Sequence, residues 1–401
     1  MTPEEHLKKM RQDHRWNAPD PRPRTNVFAA APRRAWGSVA IGVGLIALSA
    51  VVVVGAVSLR SLPRAEPADT PTATATYESE RPVPRLDLAC SDLLPNHLVD
   101  DFVGTDVTQV DYLALGMQLA YAIPDPAATV QAGGIACEWA NDDPDDFSGI
   151  FLKVVPGAGE IGGAALELAD SCKTFGCHAE FAVGTTWVEV ITGGENRPGV
   201  DLDQQHHDFT GLQESITTAI ENAGDPTPIA VTNAKPLPVE CDAIVSASEV
   251  SEITGESLDS YSPNAGVDST YPTMPDIRAA ELLGMSDTCG FLEHSSGSYG
   301  PTIMVLPGAA WMVSEYGLAS GEGDTGTGTV ADVPGLNGRG TAVMHCEKAK
   351  AGCALDVALD GNWVKIYLAE PDMPSPESID YDKPRAEVLT DIAAQIVENL
   401  K

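Results

Sequence analysis

The sequence CSDLLPNHLVDDFVG at residues 90–104 is matched later in the chain by CDAIVSASEVSEITG at residues 241–255. The two segments are equal in length, and each begins with a cysteine and ends with a glycine. A helix-starting residue, Pro95 or Ser248, then apolar residues and a terminal glycine predict a short helix in both. The matched segments indicate that the chain contains a duplicated unit.

Later landmarks keep their spacing as well. The interval from Cys90 to Cys137 is only one residue shorter than the interval from Cys241 to Cys289. A Trp-Val pair, beginning at Trp187 or Trp363, follows the fourth cysteine at the same distance in both copies. Because a duplicated fold holds its fixed points at similar separations, we expect two homologous tandem domains, at residues 88–223 and 239–401.

One interval differs between the copies. The segment from Pro156 to Cys172 is less than half as long as the segment from Pro307 to Cys346. The additional residues of the second copy include SGEGDTGTGTVADVPGLNGRG. Their glycine and acidic content predicts a loop followed by an added edge hairpin.

The pattern within each copy indicates an α+β fold. GIFLKVV and PTIMVL predict central strands, and AEFAVGTTWVEVI and ALDVALDGNWVKIYL predict hairpins, the second turning at Asp360-Gly361. Each copy ends in a segment with apolar residues on one helical face. We expect each domain to be an antiparallel sheet with helices packed on one face.

Residues 35–59 form a long stretch without a charge. As a helix it is about 37 Å long, enough to cross the hydrocarbon core of about 30 Å with some tilt. Residues 1–34 contain eight Lys or Arg against four Asp or Glu, which predicts a cytoplasmic tail and extracellular C-terminal domains. A cleaved signal peptide is the alternative, but the stretch is long for one. The Pro- and Thr-containing segment 60–87 and the segment 224–238 are predicted linkers.

All eight cysteines follow the apolar stretch, four in each copy, as expected for disulfides outside the cytoplasm. Four cysteines allow three pairings. The short separation of the third and fourth cysteines favours a small bridged loop over a zinc site, whose usual CxxC spacing is absent. We therefore expect the pairs Cys90–Cys137, Cys172–Cys177, Cys241–Cys289 and Cys346–Cys353.

The net charge of −34 is concentrated after residue 59, where 16 basic and 54 acidic residues leave −38. This charge repels nucleic acid, so no nucleic-acid partner is expected. It favours cationic partners, although an acidic surface also simply keeps an exported protein soluble.

Motifs for catalysis are scarce. The GxGxxG match at 321–326 follows no predicted strand and contains two acidic residues, so it is interpreted as a loop. His206-His207 lie among acidic residues in what is predicted to be a polar loop, without the EF-hand glycine and glutamate. No histidine falls at the same landmark in both copies. We expect no catalytic residues, no cofactor and no metal.

The repeated Trp-Val strand is the candidate binding surface. Strand alternation places Trp187 with Glu189, and Trp363 with Lys365, on the face opposite the apolar residues. An indole there could stack on a sugar ring or on a partner's side chain. The alternative is that a helix or loop covers both tryptophans as a second small core.

The Cys-led helix, the second cysteine with an aromatic residue at the second following position, and DVPGLNGRGTAV before alternating strands together resemble extracytoplasmic domains of actinobacterial cell-envelope lipoproteins of unknown function. The resemblance covers most of the second copy and part of the first, which lacks Gly-Leu-x-Gly. The chain has no lipobox cysteine, so a helix takes the place of the lipid. The resemblance implies an envelope-facing domain and supplies no catalytic residues.

The sequence therefore predicts a single-pass membrane protein of the cell envelope that is not an enzyme. Its two disulfide-stabilised domains would bind or sense a ligand, with a cell-wall component or an envelope protein as partner. A hydrolase with paired carboxylates and a structural spacer are the alternatives.

Overall fold

The structure is a computed structural model in which Ala75–Lys401 form one compact unit. The predicted cytoplasmic tail (1–34) and transmembrane segment (35–59) lie outside the described residues. Within the described part of the chain, no helix is long and apolar enough to cross a membrane. The described residues are 77, 79–103, 107–111, 113, 125–141, 149–159, 170–173, 176–193, 200–229, 233–238, 240–261, 289–294, 299–318, 328–346, 353–368 and 383–401.

In the first copy, two short helices precede the first strand, a third follows that strand, and the longest described helix comes after the sheet. The helices are α1 (Cys90–Leu93), α2 (Asn96–Val103), α3 (Asp125–Gln131) and α4 (Leu202–Ala223). The strands are β1 (Thr108–Val110), β2 (Ile135–Ala140), β3 (Gly149–Pro156), β4 (Asp170–Lys173), β5 (Gly176–Val183) and β6 (Thr186–Gly193).

In the second copy, two short helices again precede the first strand and a longer helix comes last, but the remaining described helix lies between the third and fourth strands. Its helices are α5 (Cys241–Ile244), α6 (Ala247–Thr254), α7 (Ala310–Tyr316) and α8 (Arg385–Asn399). Its strands are β7 (Leu258–Tyr261), β8 (Cys289–Glu293), β9 (Tyr299–Leu306), β10 (Thr329–Val330), β11 (Gly340–Cys346), β12 (Cys353–Leu359) and β13 (Asn362–Leu368).

The two sheets have the same strand order. The first is β1-β2-β3-β6-β5-β4 and the second is β7-β8-β9-β13-β12-β11-β10, and all neighbouring strands are antiparallel. Strand β10 has no counterpart in the first sheet and pairs at the edge with β11. The α+β class and the antiparallel sheets are confirmed. In place of the predicted added edge hairpin, the second sheet has one additional strand, β10.

Each sheet has an outer face that packs on the last helix of its copy. Helix α4 contributes Phe209, Leu212, Ile216 and Ile220 to the first core, together with Val188 and other strand residues. Helix α8 contributes the predicted apolar face to the second core, namely Val388, Leu389, Ile392 and Ile396. Helical spacing puts these residues on one stripe, and their burial stabilises the packing of each helix on its sheet.

The expectation that helices pack on only one face of each sheet is wrong. Helix α3 contacts β2 and β3, and α7 contacts β11, β12 and β13, on the inner faces. One apolar cluster joins both inner faces, because it contains Trp187 and Val155 of the first sheet and Trp363 and Leu306 of the second. The two copies therefore share a core, which explains why they form one compact unit.

All four expected disulfides are confirmed. Cys90–Cys137 and Cys241–Cys289 tie helices α1 and α5 to strands β2 and β8. Cys172–Cys177 and Cys346–Cys353 close the short β4–β5 and β11–β12 connections. Every cysteine of the chain is thus paired.

Parts of both predicted linkers are docked on the folded body. In 60–87, Leu86 is buried, and Ser79 donates to the Gly308 carbonyl in the second copy. Arg85 donates through its backbone to Gly133 and through its side chain to Thr227, which lies in the link between the copies. Residues 79–86 therefore make hydrogen bonds that a solvated spacer would leave to water.

The C-terminal end of α8 is held by two cations. Arg339, which follows the Gly-Leu-x-Gly segment, donates to the carbonyls of Val397 and Leu400 at 2.8 and 2.9 Å. Arg339 also forms an ion pair with Asp360. Lys235, in the predicted linker 224–238, donates to the Leu400 carbonyl as well. Cations at a helix C-terminus satisfy carbonyls that have no helical partner.

Arg339→Ala should lower the free energy of unfolding by about 2–4 kcal/mol. The change removes the hydrogen bond to the Val397 carbonyl and leaves Lys235 as the remaining cation for the buried Asp360 and for the Leu400 carbonyl. Urea denaturation measures the change. Lys383→Ala is the control, since its ion pair with Asp391 is exposed and should contribute no more than about 1 kcal/mol. Equal losses in the two variants would contradict this account of the helix end.

Candidate functional site

The inner face of the first sheet carries a row of charged side chains on neighbouring strands. Lys153 on β3 lies opposite Glu189 on β6, which in turn lies opposite Glu180 on β5. Nζ of Lys153 is 3.0 Å from Oε2 of Glu189. Nε2 of His178 is 3.1 Å from Oε1 of Glu189 and 3.8 Å from Oε1 of Glu180. The indole N–H of Trp187 donates to Oε2 of Glu180 at 3.3 Å. We refer to these five residues as the first polar cluster.

The first polar cluster is buried except at its histidine. The side chains of Glu189 and Glu180 are 1% and 2% exposed, whereas that of His178 is 23% exposed. The two carboxylates come from adjacent strands of a hairpin, so alternation turns both to the inner face. Like charges directly opposite each other destabilise a sheet unless a cation lies near them.

A second polar cluster occupies the same place in the second sheet. The indole N–H of Trp363 donates to Oδ1 of Asp356 at 2.8 Å. Nζ of Lys365 is 3.5 Å from the same oxygen, and Nε2 of His345 is 3.4 Å from Oδ2. The side chains of Asp356 and Lys365 are both fully buried.

The two clusters use the same residue types at partly exchanged positions. Glu189 and Lys365 are equivalent, because each stands at the second position after the repeated tryptophan. The lysine of the first copy is instead on β3, at the position of Met304. The histidines also differ in strand, with His178 on β5 and His345 on β11. Comparing landmarks along the chain therefore missed a histidine that lies beside a carboxylate in both copies.

The buried charges perturb one another. Burial raises the pKa of Glu189, but the ammonium of Lys153 and the hydrogen bond with His178 outweigh it, so its pKa lies below the ordinary value. Burial lowers the pKa of His345, an effect that Asp356 opposes and Lys365 reinforces. At neutral pH, Glu189 is therefore ionised and His345 is neutral.

Glu138 is a further buried acid on the inner face of the first sheet. It lies on β2, is 1% exposed, and its Oε2 has no hydrogen-bond partner among the described residues. Burial raises its pKa from 4.5 to about 7. No pattern in the sequence indicates this residue, because a lone glutamate in a strand is ordinarily solvated.

The predicted binding tryptophans are core residues. Trp187 and Trp363 do point to the mixed face of their strands, but each is 0% exposed. The shared apolar cluster with α3 and α7 covers them. Neither indole presents a face on which a sugar could stack, so the covered arrangement is the one observed.

Other residues considered in the sequence have structural roles or fall outside the described part. His206 and His207 lie within helix α4, rather than in a loop. Asp201 caps that helix by accepting from the backbone N–H of Gln204. The GxGxxG match at 321–326 lies outside the described residues.

The first polar cluster has the donor set of a metal site. His178, Glu180 and Glu189 each offer one ligand atom, and these three atoms lie within 4.8 Å of one another. In the described part of the chain this is where three such groups converge. A nitrogen and two carboxylate oxygens suit a first-row transition metal such as zinc.

Comparison with known proteins does not identify a family. No protein-family model and no curated protein matches the chain. Among solved structures, the crystal structure of DynU16, from the dynemicin biosynthetic locus, aligns with 74% of this chain and 97% of that chain at 10% identity. Its TM-score of 0.12 is too low to support any conclusion about fold or function.

Trp363→Phe should destabilise the protein more than Trp139→Phe, by about 1–3 kcal/mol in the free energy of unfolding. The first change removes the hydrogen bond to the buried Asp356. Trp139 is equally buried, and its Nε1 has no hydrogen-bond partner among the described residues. Denaturant unfolding followed by circular dichroism measures both variants. Equal losses would mean that the indole N–H contributes nothing beyond ring packing.

Glu138 should make stability fall as the pH rises. Folding raises its pKa, so the folded protein retains a proton that the unfolded chain releases above about pH 4.5. Its contribution is therefore fully present below about pH 4.5 and is lost as the pH rises through about 7.

Glu138→Gln should remove that pH dependence. The variant is expected to be about 1–2 kcal/mol more stable than the unmodified chain at pH 8, with a smaller difference at pH 5. Denaturation midpoints at the two pH values provide the test, with the exposed Glu221→Gln as the control. A difference that does not depend on pH would rule out titration of Glu138 as its source.

Proposed function

We propose that this protein is a single-pass membrane protein that presents its duplicated body outside the cytoplasm, as a binding or sensing module of the cell envelope. The observation that carries the proposal is the pairing of all eight cysteines in four disulfides. Disulfides persist in oxidising compartments. All of them follow the uncharged segment 35–59, which a basic tail precedes.

Binding rather than catalysis is supported by where the polar groups lie. The charged clusters are enclosed between the sheets and the inner helices, whereas the outer surface is strongly acidic. A groove of about 640 Å³ between α2 and α4 combines apolar and acidic side chains. Its lining includes three apolar residues (Leu98, Phe102 and Leu212), three acidic residues (Asp101, Asp208 and Glu214) and His207. We assign this groove to a cationic, partly apolar segment of an envelope protein, because its charge and its apolar floor complement such a segment.

A hydrolase is the second candidate. Glu180 and Glu189 bring two carboxylates close together beside His178, as acid–base hydrolysis requires. Both side chains are at most 2% exposed, however, and Glu189 is held by Lys153. A polymeric substrate could reach the two carboxylates only if the inner face of the sheet were uncovered. We therefore favour binding over hydrolysis.

Topology provides the first test. The full chain, fused at its C-terminus to alkaline phosphatase or to β-galactosidase, is expressed in a bacterial host. Phosphatase activity without β-galactosidase activity is expected, because only the former enzyme is active after export. Retention in the membrane pellet after alkaline carbonate washing would support the helical anchor. Release into the supernatant would indicate a cleaved signal peptide, and active β-galactosidase would overturn the proposal.

The groove is tested with a labelled Lys- and Leu-rich helical peptide and its Lys→Glu counterpart. Only the cationic peptide should bind the full chain, with an affinity that falls as salt increases. The combined variant Asp101→Asn, Asp208→Asn and Glu214→Gln should weaken binding at least about tenfold. A variant with equivalent neutralisations at the exposed Glu240, Asp242 and Glu252 is the control. Equal effects would indicate diffuse charge attraction and favour the spacer alternative.

A further inference from the structure

We propose that His178, Glu180 and Glu189 bind one divalent transition-metal ion, with zinc as the best-matched ion, in the first copy alone. The inference concerns the folded body and does not depend on membrane anchoring or on the groove. It arises from a detail of the first polar cluster, which is the direction in which each carboxylate oxygen points.

The Oε1 atoms of both glutamates converge on the histidine. Oε1 of Glu189 and Oε1 of Glu180 lie 3.1 and 3.8 Å from Nε2 of His178. Ligand atoms around a tetrahedral ion with bonds of about 2.0–2.2 Å are separated by about 3.3–3.6 Å. An ion between the three atoms therefore needs only small movements of the side chains.

The Oε2 atoms of both glutamates are already held by other residues. Oε2 of Glu189 is paired with the ammonium of Lys153, and Oε2 of Glu180 accepts from the indole N–H of Trp187. Such contacts orient carboxylate ligands and are a regular feature of metal sites. Trp187 and Lys153 would therefore position the ligands without binding the ion, which gives the repeated tryptophan a role while it stays buried.

The second copy supplies an internal comparison. At the position of Glu189 it has Lys365, whose Nζ lies 3.5 Å from Asp356. The ammonium of Lys365 thus lies beside the carboxylate, and no second acidic ligand lies there among the described residues of this copy. The first copy has one ammonium, that of Lys153, for two carboxylates that lie directly opposite each other, and a further bound cation stabilises such an arrangement.

The chemistry of the ligands selects the ion. Calcium and magnesium prefer sets made entirely of oxygen, whereas imidazole with carboxylates suits zinc and its neighbours. His178 is the most exposed ligand, so it marks the side from which an ion can enter. Three protein ligands leave one coordination position of a tetrahedral ion for water.

The test uses the untagged full chain in detergent, stripped with a chelator and then dialysed. Titration calorimetry with ZnCl₂, and metal analysis after equilibrium dialysis, should give one equivalent of zinc per chain. Cobalt should give the visible absorption of a four-coordinate ion. Calcium should give no saturable heat. Absence of saturable zinc binding in the unmodified chain would overturn the proposal.

Variants locate the site. His178→Ala and Glu189→Gln should each weaken zinc binding by about 10–100-fold, whereas His345→Ala, in the second copy, should leave it unchanged. Because Glu189→Gln could also disturb folding, His178→Asn provides a second test at a partly exposed position. Thermal unfolding checks each variant for a folded state. Zinc binding that survives both His178 changes but is lost in His206→Ala with His207→Ala would assign the ion to the surface and refute the proposal.

Discussion

Each sheet in this protein is covered on both faces, and this constraint determines most of the remaining structure. The outer faces are apolar and pack on α4 and α8. The inner faces carry charged residues, and buried charges are tolerated only when they are paired and hydrogen-bonded. Lys153 with Glu189, and Lys365 with Asp356, form ion pairs within the sheet itself. Among the described residues, however, Nζ of Lys365 and Oδ2 of Asp356 have no hydrogen-bond partner. Each repeated tryptophan contributes buried apolar area, and its indole N–H donates a hydrogen bond to a buried carboxylate.

The sequence predicts the framework because the framework depends on local chemistry. Cysteine spacing anticipated all four disulfides, and Asp360-Gly361 marked the β12–β13 turn, where both residues adopt positive φ. The apolar faces of α4 and α8 followed from helical spacing. The turn and the helix faces involve residues that lie near one another in the chain, and the disulfides follow from the spacing of the cysteines.

The candidate site was harder to predict from the sequence than the framework. The polar clusters join residues of three strands, and the lysine and histidine occupy different strands in the two copies. Side chains that meet across a sheet can exchange positions while the contact survives, so alignment by chain position does not detect them. The burial of Trp187 and Trp363 depends on α3 and α7, and no pattern within the tryptophan strand itself indicates what covers it.

The two copies form one folded unit because the inner faces of their sheets pack together in a shared core. The shared cluster contains apolar residues of both sheets, and Trp311 of α7 donates from Nε1 to Gln131 of α3 at 2.7 Å. A buried hydrogen bond of this kind fixes the relative position of two helices from different copies. The polar clusters of the two copies differ, although the strand order is the same.

The docked segment 79–86 also has a mechanical consequence. It precedes the first copy in the chain, yet Ser79 bonds to Gly308 of the second copy and Arg85 bonds to Thr227 of the link between them. Tension applied from the N-terminal side would reach these bonds before it reached any strand. Such a load would be divided between the two copies. It would act as a shear force on the shared core between the two sheets, instead of separating strands one at a time from the edge of a sheet.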